Sequence, residues 1–181
     1  VVLRDPADAA AIGDVDAPVV LVQWTDLRCP FCAAFHRNSM PEIVQEYVDA
    51  GLVRIEMRDV AFFGEQSEDA SVAARAAANQ GMYFAYLDTV FAAAPEGERA
   101  DLPREKLLAF AEEAGIPDLE RFRADLDDPV LRAKAQEGTA TAQQLGVNSV
   151  PFFVAGNQAI AGAQPVEMFR EFLDAVLATA S

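Results

Sequence analysis

Two cysteines separated by two residues are the part of this sequence most capable of chemistry. Cys29 and Cys32 flank Pro30 and Phe31, and they are the only cysteines among the 181 residues. Two intervening residues allow the second sulfur to reach the first, so Cys29 can attack a partner disulfide and Cys32 can resolve the mixed disulfide that results. The same steps run in reverse. The pair is therefore predicted to be a reversible two-electron switch.

Three other interpretations of the pair stay open at this point: a permanent structural disulfide, half of a zinc site, or two unrelated buried thiols. Zinc needs further ligands and the only histidine is His36, so no metal is predicted. A permanent bridge over so short a loop would restrict the unfolded chain little. His36 lies on the cysteines' side of a helix, but about 10 Å of rise separates it from Cys29. We predict a surface or packing role for it, not a catalytic one.

The composition is that of an acidic protein with one core. The chain is 52% hydrophobic, and a chain of this size buries roughly 70% of its unfolded surface. The formal net charge of -15 would repel a phosphate backbone, so nucleic acid is not an expected partner. The longest apolar runs are strand-sized, well short of the roughly 20 residues of a membrane span. The chain starts at Val1 without a leader pattern, and we expect a soluble mature form from which any export signal or anchor has been removed.

The elements that must position the cysteines follow from the hydropathy pattern. Residues 19–22 are an uninterrupted apolar, mostly β-branched run, which predicts a strand buried on both faces. Residues 30–50 predict a helix that starts at the cysteines, is kinked by Pro41 and ends at Gly51. Unsatisfied N–H groups and the helix dipole favour negative charge at such a helix start, so a thiolate at Cys29 would be stabilised.

The remaining pattern predicts a second strand, a helical block and a closing unit. Between residues 53 and 58, apolar residues alternate with Arg54, Glu56 and Arg58, which predicts a strand with one face in solvent and completes a βαβ unit. Residues 67–146 have helical periodicity interrupted by proline and glycine. Two short strands at 152–154 and 159–161, followed by a helix, predict a ββα unit.

Two segments carry a resemblance to a known family. Residues 12–32, IGDVDAPVVLVQWTDLRCPFC, resemble the opening of bacterial DsbA-like proteins. Residues 146–151, GVNSVP, resemble the segment in which that family keeps a cis-proline facing the cysteines. The helical block between them resembles the family's inserted helical domain. The resemblance implies an α/β, thioredoxin-like fold made of βαβ and ββα units with an inserted helical domain, divided into residues 1–66, 67–128 and 129–181.

The resemblance also implies an activity and a location. The protein would be an extracytoplasmic oxidoreductase of the periplasm or cell envelope, soluble or tethered by a removed N-terminal segment. It would introduce disulfides into unfolded or reduced exported polypeptides, and a DsbB-like or VKOR-like membrane partner would re-oxidise it. No cofactor is expected, and the protein is expected to be a monomer. An isomerase or a reductase of the same fold, or a binding module with a merely structural disulfide, are the alternatives. Kappa-type glutathione transferases share the architecture but usually lack the C-x-x-C pair, so both cysteines argue against them.

The resemblance assigns substrate binding to Val150 and Pro151. With a cis bond between them, Val150 would offer its backbone to an extended client, a mode that gives affinity without demanding sequence. Phenylalanines are candidates for an apolar groove around it: Phe31, Phe62, Phe63 and Phe152.

Two positions depart from the family pattern. The best-known members carry histidine in place of Phe31, and that histidine helps to hold the thiolate. Many relatives carry a buried acid in place of Gln23, whose amide cannot accept a proton from Cys32. We therefore expect an oxidant that is stronger than thioredoxin but weaker than the histidine-bearing members.

Overall fold

A mixed five-stranded sheet organises the protein, which was analysed as a computed structural model describing residues 1–180. The strand order is β1-β3-β2-β4-β5. The strands are β1 Ala11–Ile12, β2 Val19–Thr25, β3 Val53–Asp59, β4 Phe152–Ala155 and β5 Gln158–Ala161. Strands β2 and β3 are parallel, and the other three pairings are antiparallel. The predicted α/β fold with βαβ and ββα units is confirmed.

Strand β2 lies at the centre of the sheet and is buried along its whole length. Leu21 faces a core shared with α1 Pro30–Asn38 and α8 Val166–Thr179, in which Phe35, Phe153 and Phe169 pack their rings within 5 Å of one another. The opposite face of β2 packs Val22 and other apolar side chains against a second, smaller cluster. Burial on both faces explains the unbroken apolar run of residues 19–22.

The helix predicted over residues 30–50 is divided into three pieces. These are α1, α2 Met40–Ile43 and a π-helical turn over Val44–Val48. Pro41 has no N–H and cannot continue the hydrogen-bond ladder of α1. The backbone therefore breaks at Ser39, two residues before the proline, and Pro41 lies in the first turn of α2.

Five helices form the block between β3 and β4: α3 Glu65–Ala78, α4 Tyr83–Ala92, α5 Arg104–Ala114, α6 Leu119–Asp125 and α7 Pro129–Gln144. The alanine-rich α3 is central and packs against the other four. Small side chains allow this close approach. The proposed domain division at residues 128 and 129 falls between α6 and α7 and stays a prediction. Within the described chain, no helix combines the length and the apolar character that crossing a bilayer requires.

The solvent-facing side predicted for β3 is wrong. Glu56 is fully buried and Arg54 nearly so, because the first residues of the chain lie across them. The Glu56 carboxylate accepts hydrogen bonds from the N–H groups of Leu3 and Arg4, at 2.9 and 2.7 Å. Alternation of apolar and charged residues predicts solvent on the charged face only when no distant segment covers it.

Glu56 is also paired with two cations. Arg54 Nε and Arg58 Nη2 lie 3.3 and 2.9 Å from its carboxylate oxygens. Burial alone would raise the pKa of Glu56, but the N–H groups of Leu3 and Arg4, together with the two arginines, outweigh it and lower that pKa. The carboxylate is therefore a charged anchor for the N-terminal segment.

We predict that Glu56→Gln lowers the free energy of unfolding by about 3 kcal/mol at neutral pH, since it leaves the buried Arg54 and the half-buried Arg58 without their anion. The pKa of Glu56 is lower in the folded protein than its ordinary value of 4.5. Its contribution is therefore complete above about pH 4.5 and is lost as the pH falls through the folded value. Urea unfolding of both proteins between pH 3 and pH 7 measures this.

Glu167→Gln is the matched control, because Glu167 is exposed and lies 3.8 Å from Arg170 on the same helix. Its unfolding curve should be nearly that of the wild type. Equal stability of the Glu56→Gln variant and the wild type at neutral pH would contradict the anchoring role.

Candidate active site at the start of helix α1

Cys29 is the residue that caps the N-terminus of α1. It follows a short turn after β2, and its φ and ψ of -74° and 121° are still extended. Its sulfur accepts a hydrogen bond from the backbone N–H of Cys32 at 3.4 Å. Pro30 occupies the first helical position, where its missing N–H costs nothing because that group would have no partner in the helix. A sulfur in the capping position is held against the positive end of the helix.

The two thiols occupy different environments. Cys32 is completely buried, whereas Cys29 is 2% exposed and Phe31 between them is 65% exposed. Both cysteines are free thiols in this structure. The sequence prediction that the pair lies at a helix start agrees with this placement.

Hydrogen bonding lowers the pKa of the Cys29 thiol below its ordinary value of 9.0. The largest cause is the hydrogen bond from the Cys32 thiol, and the backbone N–H groups of Cys32 and Phe31 add to it. Burial and the charge of Asp26 oppose the effect without reversing it. Cys29 is thus the cysteine that forms a thiolate more readily.

Burial has the opposite result at Cys32, where it raises the pKa of the thiol well above 9.0. The hydrogen bond and charge of Cys29 raise it further, while the Asp26 backbone and the Thr25 hydroxyl lower it less. The proton therefore stays on Cys32 when Cys29 ionises. This arrangement can support attack by one sulfur and later resolution by the other.

The loop before β4 lies against Cys29. The Cys29 thiol donates a hydrogen bond to the Val150 carbonyl oxygen at 3.6 Å, and the Val150–Pro151 peptide bond is cis. Pro151 is buried and its carbonyl accepts a hydrogen bond from Gly162 N–H at 2.8 Å. The structure therefore brings two cysteines, Cys29 and Cys32, together with Val150 and Pro151, which lie at least 118 residues later in the chain.

Asp26 is a buried acid that the sequence analysis did not single out. Its carboxylate accepts hydrogen bonds from Arg28 N–H at 2.9 Å, Phe62 N–H at 2.8 Å and the Ser67 hydroxyl at 2.9 Å. Burial raises the pKa of Asp26, and these donors only partly offset that rise. The sequence did contain a signal for this role, because Asp26 stands between a buried strand and a helix start. At such positions Asp side chains often accept a hydrogen bond from the backbone N–H two residues ahead.

Gln23 is buried on β2, and its Oε1 has no hydrogen-bond partner within residues 1–180. The Thr25 hydroxyl is likewise buried without a geometrically aligned partner in the described chain. The only carboxylate that carries a hydrogen-bond network at this turn is therefore that of Asp26, not one at position 23.

Arg28 joins the cysteine turn to the helical block. Its Nε donates to the Ala100 carbonyl at 2.8 Å and its Nη1 to the Phe63 carbonyl at 2.6 Å, while Ala100 N–H donates to the Arg28 carbonyl. Arg99, next to Ala100, places its guanidinium 4.2 Å from the centre of the Phe63 ring. The loop between α4 and α5 is thus fixed beside the residue that precedes Cys29.

The phenylalanines predicted to line a groove differ in exposure. Phe31 is largely exposed, whereas Phe62, Phe63 and Phe152 are half-buried. Phe62 and Phe152 pack against the smaller core cluster that includes Trp24. The groove itself stays a prediction.

His36 has a packing role. It is 8% exposed, its Nε2 lies 2.6 Å from Asp88 Oδ1, and its ring packs 4.9 Å from that of Phe91. These contacts join α1 to α4. Over residues 1–180, His, Cys, Asp and Glu side chains form no cluster able to hold a metal ion.

Comparison with known proteins identifies the family. A family model described as thioredoxin matches residues 6–175. The probable disulfide bond formation protein D of Bacillus anthracis is 28% identical over 154 residues, covering 82% of this chain and 70% of that protein. A thioredoxin-like oxidoreductase from Silicibacter pomeroyi is 30% identical, with a TM-score of 0.75 over 94% of this chain and 92% of the other.

The fold is also shared with more distant structures. Oxidised BdbD from Bacillus subtilis superposes with a TM-score of 0.86 at 20% identity, covering 95% of this chain and 94% of that one. The matched region includes the cysteine turn, the helical block and the strand that follows Val150-Pro151. The chain belongs to the thioredoxin family and, within it, is a DsbA-like protein disulfide oxidoreductase.

Proposed function

We propose that this protein forms disulfides in exported polypeptides through Cys29 and Cys32. The observation that carries the proposal is the difference between the two thiols: a capping sulfur with a lowered pKa next to a completely buried thiol with a raised one. Relatives named disulfide bond formation protein D support it. The reaction is an exchange in which the client loses two electrons and the protein gains them.

The proposed cycle starts from the Cys29–Cys32 disulfide. A client thiolate attacks the Cys29 sulfur, a mixed disulfide forms, and Cys32 leaves and takes up a proton. A second client thiolate then attacks the client sulfur of the mixed disulfide, and Cys29 leaves as a thiolate. Its lowered pKa makes Cys29 the better leaving group in this step. The protein is left as the dithiol seen in this structure.

The dithiol must be oxidised again before another turnover. Relatives of this kind imply client polypeptides and a membrane partner that restores the disulfide. We propose a DsbB-like or VKOR-like partner, a monomeric protein, and a location in the periplasm or cell envelope.

Val150 is the proposed binding edge for clients. Its carbonyl oxygen lies 3.6 Å from the Cys29 sulfur and accepts a hydrogen bond from the thiol. A client strand paired with this segment would therefore bring its own sulfur next to Cys29. Main-chain pairing makes few demands on sequence, which suits an enzyme that acts on many unfolded clients. The half-buried Val150 side chain and buried Pro151 fix the position of this edge.

We predict that the Cys29 thiol ionises with a pKa below its ordinary value of 9.0. Because the folded value is lowered, the reduced protein gains stability relative to the oxidised protein as the pH rises from the folded value toward about 9. That gain is lost as the pH falls through the folded value. Thiolate ultraviolet absorbance of the reduced protein against pH measures the midpoint, and urea unfolding of both redox forms measures the stability.

Equilibration with glutathione gives the reduction potential from the same samples. A value between about -120 mV and about -270 mV, the strong-oxidant and thioredoxin ends of the range, supports an oxidase. A value near the thioredoxin end, together with an unshifted Cys29 midpoint, would contradict the oxidase and favour a reductase. Resistance of the oxidised pair to dithiols in the folded protein would instead favour a structural disulfide.

Single substitutions should separate the roles of the two cysteines. Cys29→Ser should abolish turnover of a reduced, disulfide-dependent client, because no sulfur remains to form the mixed disulfide. Cys32→Ser has no disulfide to give and should not oxidise the reduced client either. Its Cys29 thiolate should instead attack the disulfide of an oxidised client and release one client thiolate, and the mixed disulfide should accumulate because the resolving thiol is missing. Mass spectrometry of acid-quenched reactions measures the amounts of free protein and of its mixed disulfide with the client. The matched control is Ser149→Ala, which changes an exposed hydroxyl near the Val150 edge and should keep wild-type turnover. A mixed disulfide in Cys29→Ser, or none in Cys32→Ser after addition of the oxidised client, would contradict the division of roles.

A further inference from the structure

The Asp26 carboxylate connects three segments at the edge of the active site. It bonds Arg28 N–H in the turn before Cys29, Phe62 N–H in the loop after β3, and the Ser67 hydroxyl in the first turn of α3. The backbone reinforces this position, because Cys29 N–H donates to the Asp26 carbonyl at 3.0 Å. The side chain is fully buried, so water does not replace these contacts.

A carboxylate in this place has an electrostatic cost for Cys29. Two negative charges close together in a poorly solvated site repel each other more strongly than they would in water. The charge of Asp26 raises the pKa of Cys29 and so opposes the hydrogen bonds that lower it. The positive charge of Arg28 acts on the carboxylate in the opposite direction to burial and lowers the pKa of Asp26. The carboxylate therefore acts on the Cys29 thiol through its charge as well as connecting the three segments.

We propose that Asp26 is a positioning residue that fixes the cysteine turn against the helical block, and that its negative charge limits the oxidising strength of the Cys29–Cys32 pair. The inference rests on the redox role proposed for that pair. Reduction of the disulfide takes up two electrons and one proton and leaves a protonated Cys32 and a Cys29 thiolate three residues after Asp26, whereas the disulfide carries no charge. A charged Asp26 thus favours the disulfide form and weakens the oxidant.

The test compares two neutral variants with a charged control. Asp26→Asn removes the charge and keeps one acceptor oxygen. Asp26→Ser removes it and keeps a hydroxyl that can still accept from Arg28 N–H, and it serves if the asparagine variant does not fold. Ser67→Ala is the control, because it deletes one hydrogen bond of the same network and leaves the carboxylate in place.

Both neutral variants should lower the midpoint of the Cys29 thiolate titration. In the exchange reaction, the protein disulfide and two reduced glutathiones give the protein dithiol and one oxidised glutathione. Both neutral variants should increase the equilibrium constant of this reaction by about tenfold, which corresponds to a rise of about 30 mV in the reduction potential. Ser67→Ala should keep the wild-type midpoint and equilibrium. All three variants should unfold at lower urea concentration, because each loses part of the network.

Two results would overturn the role of the charge: a folded neutral variant with the wild-type midpoint and equilibrium, or a shift in Ser67→Ala as large as that in the neutral variants. Unchanged urea unfolding in all three variants would overturn the positioning role. Failure of the proposed function is separate, because it would appear in the wild-type protein alone, either as a thioredoxin-like potential with an unshifted Cys29 midpoint or as a disulfide that dithiols do not reduce in the folded protein.

Discussion

The hydrogen bond from Cys32 N–H to the Cys29 sulfur is the interaction on which the active site depends. It exists because β2 ends only a few residues before α1 begins, so that Cys29 becomes the capping residue of the helix. A capping sulfur accepts an N–H that would otherwise have no partner, and negative charge is favoured at that end of the helix. If the helix began one turn later, both cysteines would lie in a loop and their environments would be similar.

The core maintains the difference between the two sulfurs. Phe35, one turn after Cys32, packs its ring against Phe153 of β4 and Phe169 of α8, which holds the inner face of α1 on the sheet and keeps Cys32 out of water. The same sheet contact positions the start of β4, so Val150 lies beside Cys29. Packing thus fixes both the buried thiol and the proposed client edge.

The sequence was sufficient to predict the parts of this site that depend on local patterns. The cysteine spacing, the buried run before it and the ββα pattern around Val150 each follow from residues close together in the chain. The burial of Glu56 and Arg54 could not be predicted in this way, because the segment that covers them lies about 50 residues earlier. Asp26 was missed for a related reason: two of its three hydrogen-bond donors, Phe62 and Ser67, come from 36 and 41 residues later.

The replacement of histidine by Phe31 makes the surrounding backbone and charges more important. An exposed phenyl ring contributes neither a charge nor an N–H to the Cys29 sulfur. Stabilisation of the thiolate then comes from the Cys32 thiol and from the N–H groups of Cys32 and Phe31, with burial and Asp26 acting against it. Hydrogen bonds from backbone groups are fixed by the helix and vary little, whereas the charge at position 26 is set by a single side chain. In a chain without the histidine, that side chain is the most direct means by which the fold adjusts the balance between disulfide and dithiol.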